Sequence, residues 1–179
     1  MSRLVVLSGC SGGGKSTTLA ELARRGYPTV AEPGRRIVAE ELESGGQALP
    51  WVDAEAFARR CVDVALSDMQ IVHTTAAPWA FVDRGLVDAV AALQHAGGEP
   101  TPGAAGHLDR YHHDVFMTPP WAEIFQNDAQ RRHGFEEAVG EYERLLGAYR
   151  SLGYAVTVLP RSGVVERADF ILDTLASAS

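Results

Sequence analysis

At 179 residues, with 46% apolar and 22% charged side chains, the chain has the size and balance of one domain with a substantial core. A formal net charge of -7 speaks against a broad nucleic-acid or anionic-membrane surface, and no apolar run approaches the ~20 residues of a membrane span. The two cysteines, Cys10 and Cys61, make neither a disulfide framework nor a zinc pattern, and no signal peptide precedes the first strand, so the sequence reads as cytoplasmic.

Residues 3–9 read as a short buried strand. They run into Gly9, Cys10, Ser11, Gly12, Gly13, Gly14, Lys15 and Ser16, which match G-x-x-x-x-G-K-[ST] at every fixed position. A helix pattern follows, with Leu19, Leu22 and Ala23 on one face and Gly26 as its stop. Strand, glycine loop and helix form the context of a phosphate-binding P-loop. Glycines let the backbone curl until successive N–H groups point at phosphate oxygens, and the helix start adds its positive dipole end. Gly9, Ser11, Gly12, Gly13, Gly14, Lys15, Ser16 and Thr17 are therefore the expected nucleotide-binding set, with ATP as the nucleotide. Lys15 is expected at the β- and γ-phosphates, and the Ser16 hydroxyl at Mg²⁺. Of the 16 basic residues Lys15 is the single lysine, placed where a slim point charge is needed. A helix N-terminus lowers the pKa of a thiol, so a reactive Cys10 that ATP protects is expected.

Residues 27–31 read as a second strand, ending at Glu32-Pro33-Gly34-Arg35-Arg36. Glu32 either takes a proton from a substrate hydroxyl or hydrogen-bonds it in place, or it is a solvated loop acid or a cap for the next helix. That helix passes through Ile37, Val38, Glu41 and Leu42 to Gly45-Gly46. Cations are unfavourable at its start, so Arg35 or Arg36 either binds an anion or pairs with a nearby glutamate. Asp53 caps a third helix with Phe57, Cys61, Val64, Ala65, Met69 and Val72 on one face.

Trp79-Ala80-Phe81-Val82 is a third strand closed by Asp83-Arg84-Gly85. An aspartate after an apolar strand is the form of a Walker B magnesium ligand, and its alternative role is a helix cap. Arg84 either binds substrate or phosphate or makes a surface ion pair. A helix over residues 86–95 stops at Gly97-Gly98, and residues 97–110 read as a surface loop. His107, His112 and His113 fit no metal spacing and read as solvated. Residues 114–118 form a fourth strand before Pro119-Pro120. The segment to Arg132 has little periodicity, and Trp121 and Phe125, with Trp51, are candidate pocket walls. Asp128, Arg131 and Arg132 become lid candidates by their place before the long helix, which carries Phe135, Val139, Tyr142, Leu146 and Tyr149. Residues 154–159 are a fifth strand. Ser162 is the expected cap of a last helix with Val164, Ala168, Ile171, Leu172 and Leu175 on its face.

Strands alternating with helices imply a parallel sheet covered on both faces, with ligands beyond the carboxyl ends of its strands. Those ends carry the P-loop, Glu32, Asp83-Arg84 and the segment after Thr118.

These residues resemble small P-loop kinases of the nucleoside- and nucleotide-kinase type over nearly the whole chain. More narrowly, the chain is similar to the NadR-like group of AAA-type ATPases, related to ribosylnicotinamide-kinase domains. The matching pieces are residues 9–17, Glu32-Pro33-Gly34-Arg35, Val82-Asp83-Arg84-Gly85, Val115-Phe116 with Pro119-Pro120, and residues 128–132. The resemblance implies a three-layer α/β P-loop NTPase fold, with a parallel five-stranded sheet in the order 2-3-1-4-5 and a lid at about residues 121–134 of a single domain. It implies Glu32 near the accepting hydroxyl and Asp83 with Arg84 at metal and phosphate. Lys15, Glu32, Asp83, Arg84, Arg131 and Arg132 become the catalytic set, Glu32, Arg35 and Arg84 the acceptor set, and Ser16 with Asp83 the metal set. The base is expected near Pro160-Arg161-Ser162-Gly163. The expected partner is a small phosphoryl acceptor, and an oligomer is compatible with the sequence. The competing reading is a nucleotide-binding ATPase or switch with no acceptor. A guanine-specific switch fits poorly, because its Asn-Lys-x-Asp motif needs a second lysine.

Overall fold

The computed structural model describes residues 3–71, 77–125 and 134–177. Strand β1 (Leu4–Gly9) is buried at every residue. It leads into helix α1 (Lys15–Arg24), strand β2 (Thr29–Val30) and helices α2 (Pro33–Ser44) and α3 (Ala54–Ile71). Strand β3 (Ala80–Asp83), helix α4 (Leu86–His95), strand β4 (Asp114–Thr118), helix α5 (Phe135–Ser151), strand β5 (Ala155–Val158) and helix α6 (Val164–Ser177) complete the order. The five strands are parallel, in the order β2-β3-β1-β4-β5, as expected.

Period-two alternation explains the layers. Leu4 and Val6 of β1 face a core shared with α3, α4 and α5, including Val62, Leu86 and Leu145. Val5 and Leu7 face the opposite core, with Leu19 and Leu22 of α1 and Ile171 and Leu175 of α6. Register then sets the site. Leu7 pairs with Asp83 of β3, while Gly9 pairs with Thr118 of β4. The glycine loop thus leaves the middle of the sheet with β3 on one flank and β4 on the other.

The structure departs from several expectations. Only Thr29 and Val30 of the expected second strand join the sheet, because the chain turns into α2 at Pro33. The loop after α4 is not wholly solvated: Ala104–His107 make a 3₁₀ turn, and Ala104 packs into the core. His112 is buried too, edge-on to Trp79, with Nδ1 accepting the Asp114 N–H. Asp53 does cap α3, its carboxylate accepting the Ala56 N–H at 2.9 Å. Ser162 does not cap α6; the Gly163 carbonyl accepts the Arg167 N–H, and Glu166 reaches back to the Gly163 N–H. The cap falls one residue later because Glu166 stands three places after Gly163.

Candidate active site

The glycine loop is held in shape by its neighbours. Gly9 has φ +108°, and a Cβ there would stand 2.4 Å from the Thr118 carbonyl oxygen. That same oxygen accepts the Cys10 N–H at 2.9 Å. Gly14 has φ +82° and starts α1 as its N-cap. Neither position accepts a side chain without backbone strain. Lys15 is buried, with Nζ donating to the Cys10 carbonyl at 2.9 Å. Burial, then the charge of Arg84, lowers its pKa, while Asp83 and Glu32 oppose this.

Asp83 ends β3 beside the loop. The Ser16 hydroxyl donates to its Oδ2 at 3.1 Å, while its buried Oδ1 has no hydrogen-bond partner among the described residues. Burial pushes the Asp83 carboxyl up to about 6, against the pull of Lys15. A buried carboxylate oxygen without a donor, next to a hydroxyl at the mouth of a phosphate loop, fits a hard cation with oxygen ligands. No cluster of three or more His, Cys, Asp or Glu suited to a metal occurs among the described residues. Any cation here would draw its remaining ligands from phosphate and water, as Mg²⁺ does.

Arg84 has φ +60°, the only non-glycine residue described with positive φ. Strain of this kind points to a functional constraint. The conformation gives its N–H to the Leu7 carbonyl at 2.9 Å and turns the guanidinium into a ring of acids. Nη2 lies 2.9 Å from Glu141, Nε 3.3 Å from Glu32 and Nη1 3.6 Å from Asp88. Burial alone would lower the Arg84 pKa, but Glu141, Glu32 and Asp88 together hold it well above the usual value.

Glu32 occupies the N-cap position of α2 yet makes no side-chain cap bond. Its carboxylate meets Arg84 at 3.3 Å and Arg35 at 3.2 Å instead. Arg36 turns away to Asp68 of α3 at 2.8 Å, so of the two arginines Arg35 alone faces this site.

Two spaces meet at Glu32. A cleft of ≈ 430 Å³ runs over Lys15, Ser16 and Thr17, with Arg35, Ile124 and Val164 on its walls. A second, of ≈ 90 Å³, lies among Phe57, Arg84, Asp88 and Glu141, and opens toward a third of ≈ 400 Å³ that shares those four residues. A larger cavity, ≈ 890 Å³, lies by Leu4, Tyr111 and Tyr154 at the opposite end of the sheet. Size alone does not pick the site; the end of the strands does.

The structure brings together Gly9, Ser11, Gly12, Gly13, Gly14, Lys15, Ser16, Thr17, Glu32, Arg35, Asp83 and Arg84. Asp128, Arg131 and Arg132, and Val72 of the expected third-helix face, lie outside the described residues. Cys10 corrects an expectation: it is fully buried, its thiol donates to the Ser11 carbonyl, and burial pushes its pKa up more than Lys15 lowers it. The helix dipole loses to desolvation here. Phe125 packs its ring against Gly12, where a Cβ would come within 2.8 Å, and Trp121 lies beside Arg167.

Three residues escaped the sequence reading. Asp88 is buried behind Arg84, where it accepts hydrogen bonds from Ser8 and Tyr149, both at 2.5 Å, and from the Gly85 N–H at 2.9 Å. Glu141 reaches Arg84 from α5. Arg167 of α6 is 4% exposed and donates to the Gly13 carbonyl at 3.1 Å. A charge on the apolar stripe of a helix, beside Ala168 and four residues before Ile171, is the signal that could have found Arg167.

The sequence match to an AAA domain spans residues 4–167. The chain belongs to this AAA-domain family. No curated protein matches it. Among solved structures, this AAA-domain protein is similar in fold to the deoxyadenosine kinase from M. mycoides with bound dATP, at 16% identity and a TM-score of 0.57, covering 97% of this chain and 99% of the kinase. It is similar to shikimate kinase from Acinetobacter baumannii in complex with shikimate, at 17% identity and TM-score 0.59, covering 100% of this chain and 96% of that one. NadR in complex with NR gives TM-score 0.68 at 18% identity; the match covers 98% of this chain but 51% of NadR. The AAA-domain protein thus has the three-layer fold of P-loop kinases. Among the described residues, no helix is long and apolar enough to cross a membrane.

Proposed function

We propose that the chain is a cytoplasmic, Mg²⁺-dependent phosphotransferase that moves the γ-phosphoryl group of ATP to a hydroxyl of a small molecule such as a nucleoside-like metabolite. The place of Glu32 carries this reading. Its side chain lines both the cleft over the P-loop and the neighbouring acidic cavity, so one carboxylate faces donor and acceptor. A protein that only sensed nucleotide would need no such carboxylate. Fold neighbours bound to dATP and to shikimate add support.

The roles follow from chemistry. The N–H groups of the P-loop, residues 9–17, cradle the phosphates, and Lys15 bridges β and γ. Ser16 and Asp83 would hold Mg²⁺, which when bound neutralises charge on the phosphate oxygens. The acceptor oxygen attacks the γ-phosphorus, the bond to the β–γ bridging oxygen breaks, and ADP leaves. The proton of the acceptor hydroxyl passes to Glu32. Arg35 and Arg84 orient the acceptor. Arg84 already has three acidic neighbours, so it enters the reaction positioned rather than searching. Arg131 and Arg132 are assigned to a lid at about residues 121–134 that closes on the transferred group.

A coupled ADP-release screen tests this, across nucleosides, ribosylnicotinamide, aminoglycosides and other hydroxylated metabolites. Acceptor-stimulated ADP release is the expected result. Slow hydrolysis that no acceptor accelerates would move the chain to the ATPase-switch reading.

A further inference from the structure

The cavity of ≈ 890 Å³ at the amino ends of the strands serves no step of the proposed transfer. Its volume is that of an ordinary small-molecule pocket. Leu4, Leu66 and Met69 give it an apolar lining, and Tyr111 and Tyr154 add two aromatic rings. Both hydroxyls are already engaged: Tyr111 accepts the Leu86 N–H at 2.8 Å, and Tyr154 donates to the Leu108 carbonyl. The tyrosines therefore offer the cavity ring surface, which suits a flat aromatic molecule. Arg110, His107 and His113 also line it, against one acid, Asp109, among the described residues. Arg110 is exposed there, and a guanidinium pairs with carboxylate or sulfonate oxygens through parallel N–H groups.

Both tyrosines lead to Arg84. The Tyr111 ring stands so close to Gly85 that a Cβ there would lie 2.9 Å from its Cζ. Its hydroxyl holds the N–H of Leu86, the first residue of α4. Tyr154 packs edge-on against Tyr149, with ring centroids 5.5 Å apart, and the Tyr149 hydroxyl donates to Asp88 behind Arg84. A gap of ≈ 10 Å³ touches Arg84 itself and shares Leu4, Met69 and Tyr111 with the cavity. Arg84 in turn donates to the Gly9 carbonyl at 3.3 Å, where the P-loop begins. Its φ of +60° marks the element that can change, because a left-handed non-glycine residue persists only while its surroundings hold it. A ligand that shifts Tyr111 or Tyr154 alters those surroundings.

We propose that this cavity is an effector site for a flat aromatic anion, whose occupancy is felt at Arg84 and the P-loop through Tyr111 and through the contacts of Tyr154, Tyr149 and Asp88. The coupling rests on the triphosphate reading of the P-loop, whereas the site itself does not.

Anilinonaphthalene sulfonate, an aromatic anion that fluoresces in apolar surroundings, serves as the probe. Its dissociation constant is measured by fluorescence titration with and without saturating Mg²⁺-ATP. That of Mg²⁺-ATP is measured by calorimetry with and without saturating probe. Wild type, Arg110→Glu and Tyr111→Phe are compared. The wild type should bind the probe saturably, with an affinity that Mg²⁺-ATP shifts by about fivefold or more, and linkage requires the probe to shift ATP affinity by the same factor. Arg110→Glu should weaken the probe by about tenfold while ATP affinity without probe stays within about twofold of wild type. Tyr111→Phe keeps the ring and loses the hydroxyl, so the probe should still bind while the coupling factor falls toward one. Absence of saturable binding, binding indifferent to Arg110→Glu, or an undiminished factor in Tyr111→Phe would each overturn the proposal. If Tyr111→Phe does not fold, wild type and Arg110→Glu decide alone. A wild-type factor of one beside normal ATP binding would overturn the effector role and leave the triphosphate reading intact. A wild type that binds the probe but no Mg²⁺-ATP would overturn that reading and the effector role together.

Discussion

On the β3 flank of the P-loop, Arg84 is enclosed by Glu32, Asp88 and Glu141; on the β4 flank, Arg167 is buried with one carbonyl and a loosely placed tryptophan ring. The first flank holds its charges in fixed pairs before any ligand arrives. The second keeps a cation that no carboxylate among the described residues pairs with. On the proposed function the first flank serves the acceptor, because orienting a hydroxyl and receiving its proton needs preorganised charge. Lys15 and Ser16 sit at the seam between the flanks.

Mutations can separate the flanks. The largest effect is expected at the seam: Lys15→Ala removes charge where the transition state gathers it, so turnover should fall by about 10²–10³ or more in steady-state assays. Near wild-type turnover would dissolve the distinction altogether. Arg84→Gln comes next. It leaves three carboxylates facing one another in a buried site, and denaturant unfolding should show a loss of about 3 kcal/mol. If stability barely changes, the acidic flank is wetter and looser than described.

Asp83→Asn should cut the two ways apart. Activity falls with the metal ligand, while the metal-free protein gains about 1–3 kcal/mol at pH 7 by melting in chelator. The sign follows from its folded carboxyl titrating at about 6 against 3.8 for the free group. The folded state loses stability as pH rises between those values, so the gain from asparagine is full above pH 6 and gone below 3.8. A destabilised Asp83→Asn protein in chelator would contradict the charge balance drawn here.

The smallest effect concerns the scaffold of the β4 flank. Glu21 of α1 binds Arg24 and Arg25, and Arg25 reaches Asp169 of α6. Hydrogen bonds from Arg24 and Arg25 hold the Glu21 carboxyl at about 2, below its usual 4.5. Its contribution is present above pH 4.5 and fades as pH falls toward 2. Glu21→Gln should lower the melting temperature slightly at pH 7, with the gap to wild type closing in acid. A gap independent of pH would assign the effect to packing.

The two flanks also differed in how far they could be read from the chain. Sheet order and the β3 flank were legible because their residues stand at strand ends, where Glu32-Pro33 and Asp83-Arg84 interrupt apolar runs. Asp88 and Glu141 were not, because each lies within a helix and only tertiary packing brings it to Arg84. Arg167 was hidden in the same way, on a stripe that otherwise reads as core. Cys10 misled for a physical reason: loop position argues for a low pKa, and only the fold shows the burial that raises it. Ser16 and Asp83, far apart in the chain, meet because β3 lies beside β1 in the sheet.

The central claim is that Glu32 joins two halves of one transfer site. The most direct measurement is acceptor-stimulated ADP release by Glu32→Gln beside its calorimetric ATP affinity. Loss of the proton acceptor should slow release by about 10²–10⁴, with ATP affinity within a few-fold of wild type. Undiminished acceptor-stimulated release, or a loss of rate that simply follows a loss of ATP affinity, would contradict the account.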